Sequence, residues 1–169
     1  MKKIIIGLFI LTIVINIFKK KEEFLIPDEA LRFRVIANSN SLEDQLLKSK
    51  VKNNVETEIF KLLNEVNSYS DARTILENNT DLINEKVSQY TMNYQINIGK
   101  NYFPEKEYKG VKYEAGEYDS LVITLGSGIG NNWWCVLFPP LCMIDEQETS
   151  IEEYNYQLYI SKLFQDIKY

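Results

Sequence analysis

Histidine is absent from this 169-residue chain. Without it no Ser-His-Asp triad, Cys-His pair or HExxH zinc site can be assembled. The one side chain whose unperturbed pKa lies near neutrality is missing too. Cysteine is scarce: Cys135 and Cys142 are the only two, too few for a four-cysteine structural zinc site. No metal and no cofactor is therefore expected. Positive charge is scarce beyond the N-terminus. Five of the 19 basic residues lie within residues 1–21, which carry no acid, and the remainder sets 14 bases against 24 acids. A body this acidic repels phosphate backbones, so nucleic acid is not an expected partner. Of the seven glycines, three cluster in Gly126-Ser-Gly128-Ile-Gly130 after a strand-like run. This is neither Gly-x-Gly-x-x-Gly nor a Gly-Lys-Ser/Thr loop, and no helix pattern follows to bind a phosphate. It reads as a turn that exploits the positive φ open to glycine.

What is present is ordinary globular composition, 45% hydrophobic and 25% charged, in a length that suits one domain. The first 21 residues stand apart. Met-Lys-Lys precedes a 15-residue apolar run, Ile4 to Phe18, and Lys19-Lys20-Lys21 follows. The run is shorter than the roughly 20 residues of a membrane-crossing helix and resembles the apolar region of a signal peptide. It lacks an Ala-x-Ala-like cleavage site, so a signal peptide and a retained short anchor with snorkelling lysines both fit. Either way the body is expected outside the cytoplasmic membrane. In that compartment Cys135 and Cys142 read as a disulfide pair, against the alternative of two reduced, buried thiols.

Residues 22–30 form a polar linker. Leu31 to Ala37 alternates apolar and basic positions and reads as a strand. Ser41 and Asp44 give a capping-box-like start to a long amphipathic helix over 42–66, with Leu47, Val51, Val55, Ile59, Leu62 and Val66 on one stripe. A second helix begins near Asp71, and Thr80 is placed to cap a third carrying Ile83, Val87 and Tyr90. Tyr94, Ile96 and Ile98 mark a half-exposed strand, residues 99–110 a loop or strand connection, and Leu121–Leu125 a buried strand. Trp133 to Phe138 is strand-like and is stopped by Pro139-Pro140. Residues 151–169 read as a final helix. The expected fold is α+β over residues 31–169: two or three helices of the N-terminal half packed on one face of a small, mostly antiparallel sheet, with a C-terminal helix.

Trp133-Trp134 is the most suggestive element. Neighbours on a strand point to opposite faces, so one indole would enter the core and the other face outward. An outward tryptophan beside a proline-bounded loop suits a protein partner or a lipid interface; burial of both is the plain alternative. Trp133, Trp134 and Asn132 are the first candidates for partner binding, and the turn Asn38-Ser39-Asn40 is the second. Acidic pairs such as Glu43/Asp44 and Glu152/Glu153 leave a different class open, a cell-envelope hydrolase with paired carboxylates. Acids at a helix start more often serve the helix dipole.

Asn131-Asn-Trp-Trp-Cys-Val-Leu-Phe-Pro-Pro-Leu-Cys142 closely resembles a signature of the stage II sporulation protein R family. Arg32 to Asn40, Glu43-Asp-Gln45 with Lys48, Lys50 and Val51, Tyr102-Phe-Pro104 and Ala115-Gly-Glu-Tyr118 match other stretches of that family. The resemblance spans about residues 27–145. It implies a signalling protein made in the forespore of an endospore-forming bacterium and exported into the space between forespore and mother cell. There it would activate a membrane-embedded aspartic protease that cleaves the pro-form of sigma E; the protein would be a ligand and not an enzyme. The family often has His where Arg34 stands and Asp where Asn40 stands. An asparagine amide does not ionise near neutrality, so position 40 cannot supply a general base.

Overall fold

The computed structural model describes residues 24–25, 30–108 and 111–141. The leader, most of the linker, Cys142 and the expected C-terminal helix lie outside the described residues. A two-residue strand β1 (Phe24–Leu25) precedes β2 (Leu31–Ile36), and then come three helices, α1 (Leu42–Leu63), α2 (Tyr69–Asn78) and α3 (Thr80–Ser88). Five strands follow: β3 (Tyr94–Phe103), β4 (Lys106–Tyr108), β5 (Val111–Tyr113), β6 (Gly116–Leu125) and β7 (Asn132–Phe138). The grouping of helices and strands makes the fold α+β.

The main sheet has the order β3-β6-β2-β7, and a small sheet has the order β1-β5-β4. In the main sheet β3/β6 and β2/β7 are antiparallel, whereas β2 and β6 run parallel. A parallel pair needs a long crossover, and the three helices with β3 provide it. The N-terminal strand thereby lies between two C-terminal ones, with both neighbours contributed from at least 80 residues downstream.

Alternation then assigns the two faces. Phe33, Val35, Leu121, Ile123 and Leu125 point to the helices and meet Val51, Val55, Ile59, Leu63, Ala72, Leu76, Ile83 and Val87 in one buried core. The helical stripe drifts by one position at its end: Leu63, not Leu62, is buried, and α1 stops there. Ser41 caps α1 as the sequence implies, its hydroxyl accepting from the Asp44 amide. Two expectations need correction. Thr80 does not cap α3; it is the first helical residue, and its hydroxyl donates back to the Glu77 carbonyl. Residues 99–103 are not a loop, because β3 continues through them opposite β6, with Phe103 paired to Gly116. Polar alternation in Asn97, Gly99 and Asn101 hides the strand, since only its partner is apolar.

Candidate functional site

β7 is an edge of the main sheet among the described residues, and its pleat separates the two tryptophans. Trp133 lies on the helix side. Its ring meets Phe33 edge-to-face at 5.4 Å, and the Lys52 ammonium stands 4.7 Å from its centroid. Lys52 also pairs with the buried Glu56 at 2.7 Å. Trp134 lies on the opposite face, which no helix covers among the described residues and which is hereafter the helix-free face. It meets Phe103 edge-to-face at 5.4 Å, beside a small cluster of Phe103, Tyr118 and Val122.

The helix-free face is unusual in its charge. Register sets Asn97, Val122, Arg34 and Trp134 in one row across the four strands. The Arg34 guanidinium sits 4.9 Å from the Phe103 centroid and 5.6 Å from that of Trp134, and its Nη1 donates to the Tyr102 carbonyl at 3.4 Å. Partial burial lowers the Arg34 pKa. The Lys106 ammonium approaches Trp134 to 5.5 Å. Arg32, in the neighbouring row, is buried with its guanidinium 3.3 Å from the Tyr118 centroid.

A second region lies at one end of the sheet, where β2 and β6 both deliver their C-terminal ends. The loop 37–41 meets the loop 126–131. Asn38 links them: its Oδ1 accepts from the Ser127 amide at 2.9 Å and its Nδ2 donates to Asp44 at 3.0 Å. Ser39 donates to the same Asp44 oxygen at 2.5 Å, and Gln45 Nε2 donates to the Ser39 carbonyl at 2.8 Å. Asn40 Oδ1 accepts from the Asn131 amide at 2.7 Å, and Lys48 donates to the Asn131 carbonyl at 3.0 Å. Hydrogen bonding from Ser39, then Asn38, holds the Asp44 carboxyl below the ordinary aspartate range; burial lowers the Lys48 pKa.

Two glycines make this contact possible. Gly126 has φ +56°, and a Cβ there would strike the Asn38 side chain. At Gly130 a Cβ would strike the Ser39 carbonyl, whose position the loop fixes. The tip so built carries exposed apolar side chains: Leu42 and Ile129 are each 77% exposed and Leu46 53%.

A third polar cluster serves the fold. Asp119, on β6, faces the helices and accepts from the Tyr69 hydroxyl on α2, with Lys100 at 3.3 Å and Arg73 at 3.7 Å. Burial works to raise its pKa, but Tyr69, Lys100 and Arg73 together lower it. One carboxylate ringed by cations ties α2 to the sheet. Among the described residues no group of three or more His, Cys, Asp or Glu side chains could hold a metal, and no helix is long and apolar enough to cross a membrane.

The six candidates for partner binding thus divide. Asn38, Ser39 and Asn40 come together at the tip with the main chain of Asn131; Asn132 opens β7 next to them and is exposed. Trp134 belongs to the helix-free face and Trp133 to the core side. Arg34, Lys106 and Ser127 were not legible as site residues, because their partners are 68 or more residues away for Arg34 and Ser127, and 28 for Lys106. A lone basic residue in an alternating strand carries no signal of its own.

The family described as Stage II sporulation protein R (spore_II_R) matches residues 27–148. The chain belongs to the stage II sporulation protein R family. The curated relative named Stage II sporulation protein R from Bacillus subtilis (strain 168) is 38% identical over 133 residues, which cover 75% of this chain and 59% of that protein. The chain thus spans about three-fifths of the length of that relative. No solved structure matches. The two stretches that carry the family resemblance most clearly, Arg32–Val51 and Asn131–Leu141, are those that build the tip and flank the helix-free face. Cys142, the last residue of the second stretch, lies outside the described residues.

Proposed function

We propose that this stage II sporulation protein R family member is an exported intercompartmental signal that docks onto a membrane-embedded aspartic protease of the mother cell and activates it, leading to cleavage of the pro-form of sigma E. Residues 1–21 would direct export from the forespore into the space between the two membranes, as a cleaved leader or a short anchor. Family membership is the observation that carries this reading. The preorganised tip adds physical support. Its loops are fixed by side-chain hydrogen bonds before any partner arrives, so little ordering entropy is lost on docking. Its exposed Leu42, Leu46 and Ile129 offer apolar area for a protein contact.

A ligand switches an enzyme only through tighter binding to the active state. A tenfold bias needs about 1.4 kcal/mol of differential affinity, within the range of one or two buried aromatic or aliphatic anchors. A disulfide between Cys135 and Cys142 belongs to the same proposal. The two are the chain's only cysteines, and Cys135 does not stand as a free thiol. The bridge would brace the end of β7.

The test is reconstitution of the purified protein with the membrane protease and its pro-sigma substrate in vesicles. Appearance of the processed factor only when the protein is added supports the reading. Processing at the same rate without it, or turnover of peptidoglycan or peptide by the protein alone, overturns it.

A further inference from the structure

We propose that Arg34, Trp134 and Lys106 form a carboxylate-binding site on the helix-free face of the sheet, which takes an acidic peptide segment of a protein partner. Four observations carry this. First, two cations converge on one indole: Arg34 at 5.6 Å and Lys106 at 5.5 Å from its centroid. Second, neither cation pairs with a carboxylate among the described residues. The Arg34 Nε is buried and has no hydrogen-bond acceptor, while its Nη1 has only the long contact to the Tyr102 carbonyl. Aromatic faces offset part of the desolvation of a guanidinium, but a buried N–H without an acceptor still costs free energy. An incoming carboxylate supplies that acceptor as well as the countercharge.

Third, the rows of the main sheet around Arg34 contain no competing acid among the described residues. Gln95 and Asn97 on β3, Ser120, Val122 and Thr124 on β6, Ile36 on β2 and Asn132 on β7 share this face by register, and all are neutral. On β6, Asp119 points to the helix side and is held there by Tyr69; Glu107, beside Lys106 on β4, forms no ion pair with either cation. Fourth, the chain as a whole is acidic, with a net charge of −5, so this patch is a local exception to the general field. An arginine and a tryptophan side by side are the residue types that most often dominate protein contacts. Arg34 and Trp134 stay half-buried at the rim of the buried Phe103, Tyr118 and Val122, within reach of a side-chain carboxylate presented by a peptide.

The link from this site to signalling rests on the docking reading above; the binding itself does not. The experiment uses the full-length protein with Trp133→Phe, so that Trp134 is the only tryptophan and reports the site by fluorescence. The probe is the capped peptide acetyl-Gly-Glu-Leu-Glu-Gly-amide, with its Gln-for-Glu counterpart and inorganic phosphate as the other arms. A saturable fluorescence change with the Glu peptide alone, weakened at least tenfold by Arg34→Gln and less by Lys106→Gln, supports the site. No saturable change with the Glu peptide, an equal response to the Gln peptide, or tighter binding of phosphate than of the peptide overturns it. So does peptide binding that appears only when Glu146, Glu148, Glu152 and Glu153 are all changed to Gln, since the chain's own acids would then be the occupant. In the reconstituted protease assay, Arg34→Gln should slow processing at least fivefold. Normal processing by a variant that no longer binds peptide removes the site from signalling and leaves the docking reading intact. Failure of the wild-type protein to activate removes the docking reading and leaves the peptide site intact.

Discussion

Trp133 and Trp134 are adjacent in sequence, share one strand and have opposite surroundings. Trp133 is packed on Phe33 and roofed by Lys52 of α1, whose charge is met by Glu56. Trp134 is packed on Phe103 and flanked by Arg34 and Lys106, whose charges meet no acid among the described residues. Both rings are half-buried and both touch cations. The difference lies in whether the local charge is balanced within the fold. On the helix side it is, and the side chains serve stability. On the other side it is not among the described residues, and the proposed peptide site uses that imbalance. Exposure alone would have ranked the two residues equally.

The core beneath Trp133 carries the largest expected effect. Phe33→Ala removes a fully buried ring and is expected to lower the unfolding free energy by about 3–5 kcal/mol in urea titrations. Trp133→Ala should cost about 2–3 kcal/mol, because part of its area already faces water. Trp134→Ala should cost about 1 kcal/mol or less yet reduce protease activation at least tenfold, if the helix-free face is the functional one. Equal stability losses for the two tryptophans would break the division between the faces.

The tip supplies two finer tests. Gly130→Ala forces a Cβ onto the Ser39 carbonyl, so the two loops must part; a loss of about 1–3 kcal/mol is expected in urea titrations, together with slower processing in the proposed reconstitution assay. A variant with unchanged stability and activity would show that the tip is not preorganised. The smallest effect is electrostatic. The Asp44 carboxyl titrates below an ordinary aspartate because Ser39 and Asn38 donate to it. Its depressed folded-state pKa contributes stability that is present above the unfolded-state pKa and is lost as pH falls through the folded one. Carbon-detected NMR titration of Asp44 should show the low value, and Ser39→Ala should raise it; an unshifted Asp44 in the parent protein contradicts the network.

Much of this fold was legible. The stripe of α1, the cap at Ser41, the alternation in β2 and the buried run in β6 each follow from neighbours within a few residues. The split of the tryptophans followed from the pleat alone. The length of β3 was not legible, because its outward positions are polar and its pairing partner lies about 20 residues on. The function came from the residues that resemble a known family and not from any catalytic pattern. Of the site, the turn 38–40 and Asn132 were legible as candidates, but not the fact that Asn38 reaches Ser127 or that Asn40 holds Asn131.

Local patterning was not enough for β1, β4, β5 or the end of β3, but it was enough for the three helices, for β2, β6 and β7 and the faces they turn inward, for the absence of histidine chemistry and for the family. These depend on local periodicity and on residue identity, which a linear chain states directly. The insertion of β2 between β6 and β7, and with it which charges meet, emerges in the packed fold alone. Strand order is set by which apolar faces can be buried together at once, a global competition that no short window contains. Arg34 met Trp134 and Lys106, rather than a carboxylate, as a consequence of that competition.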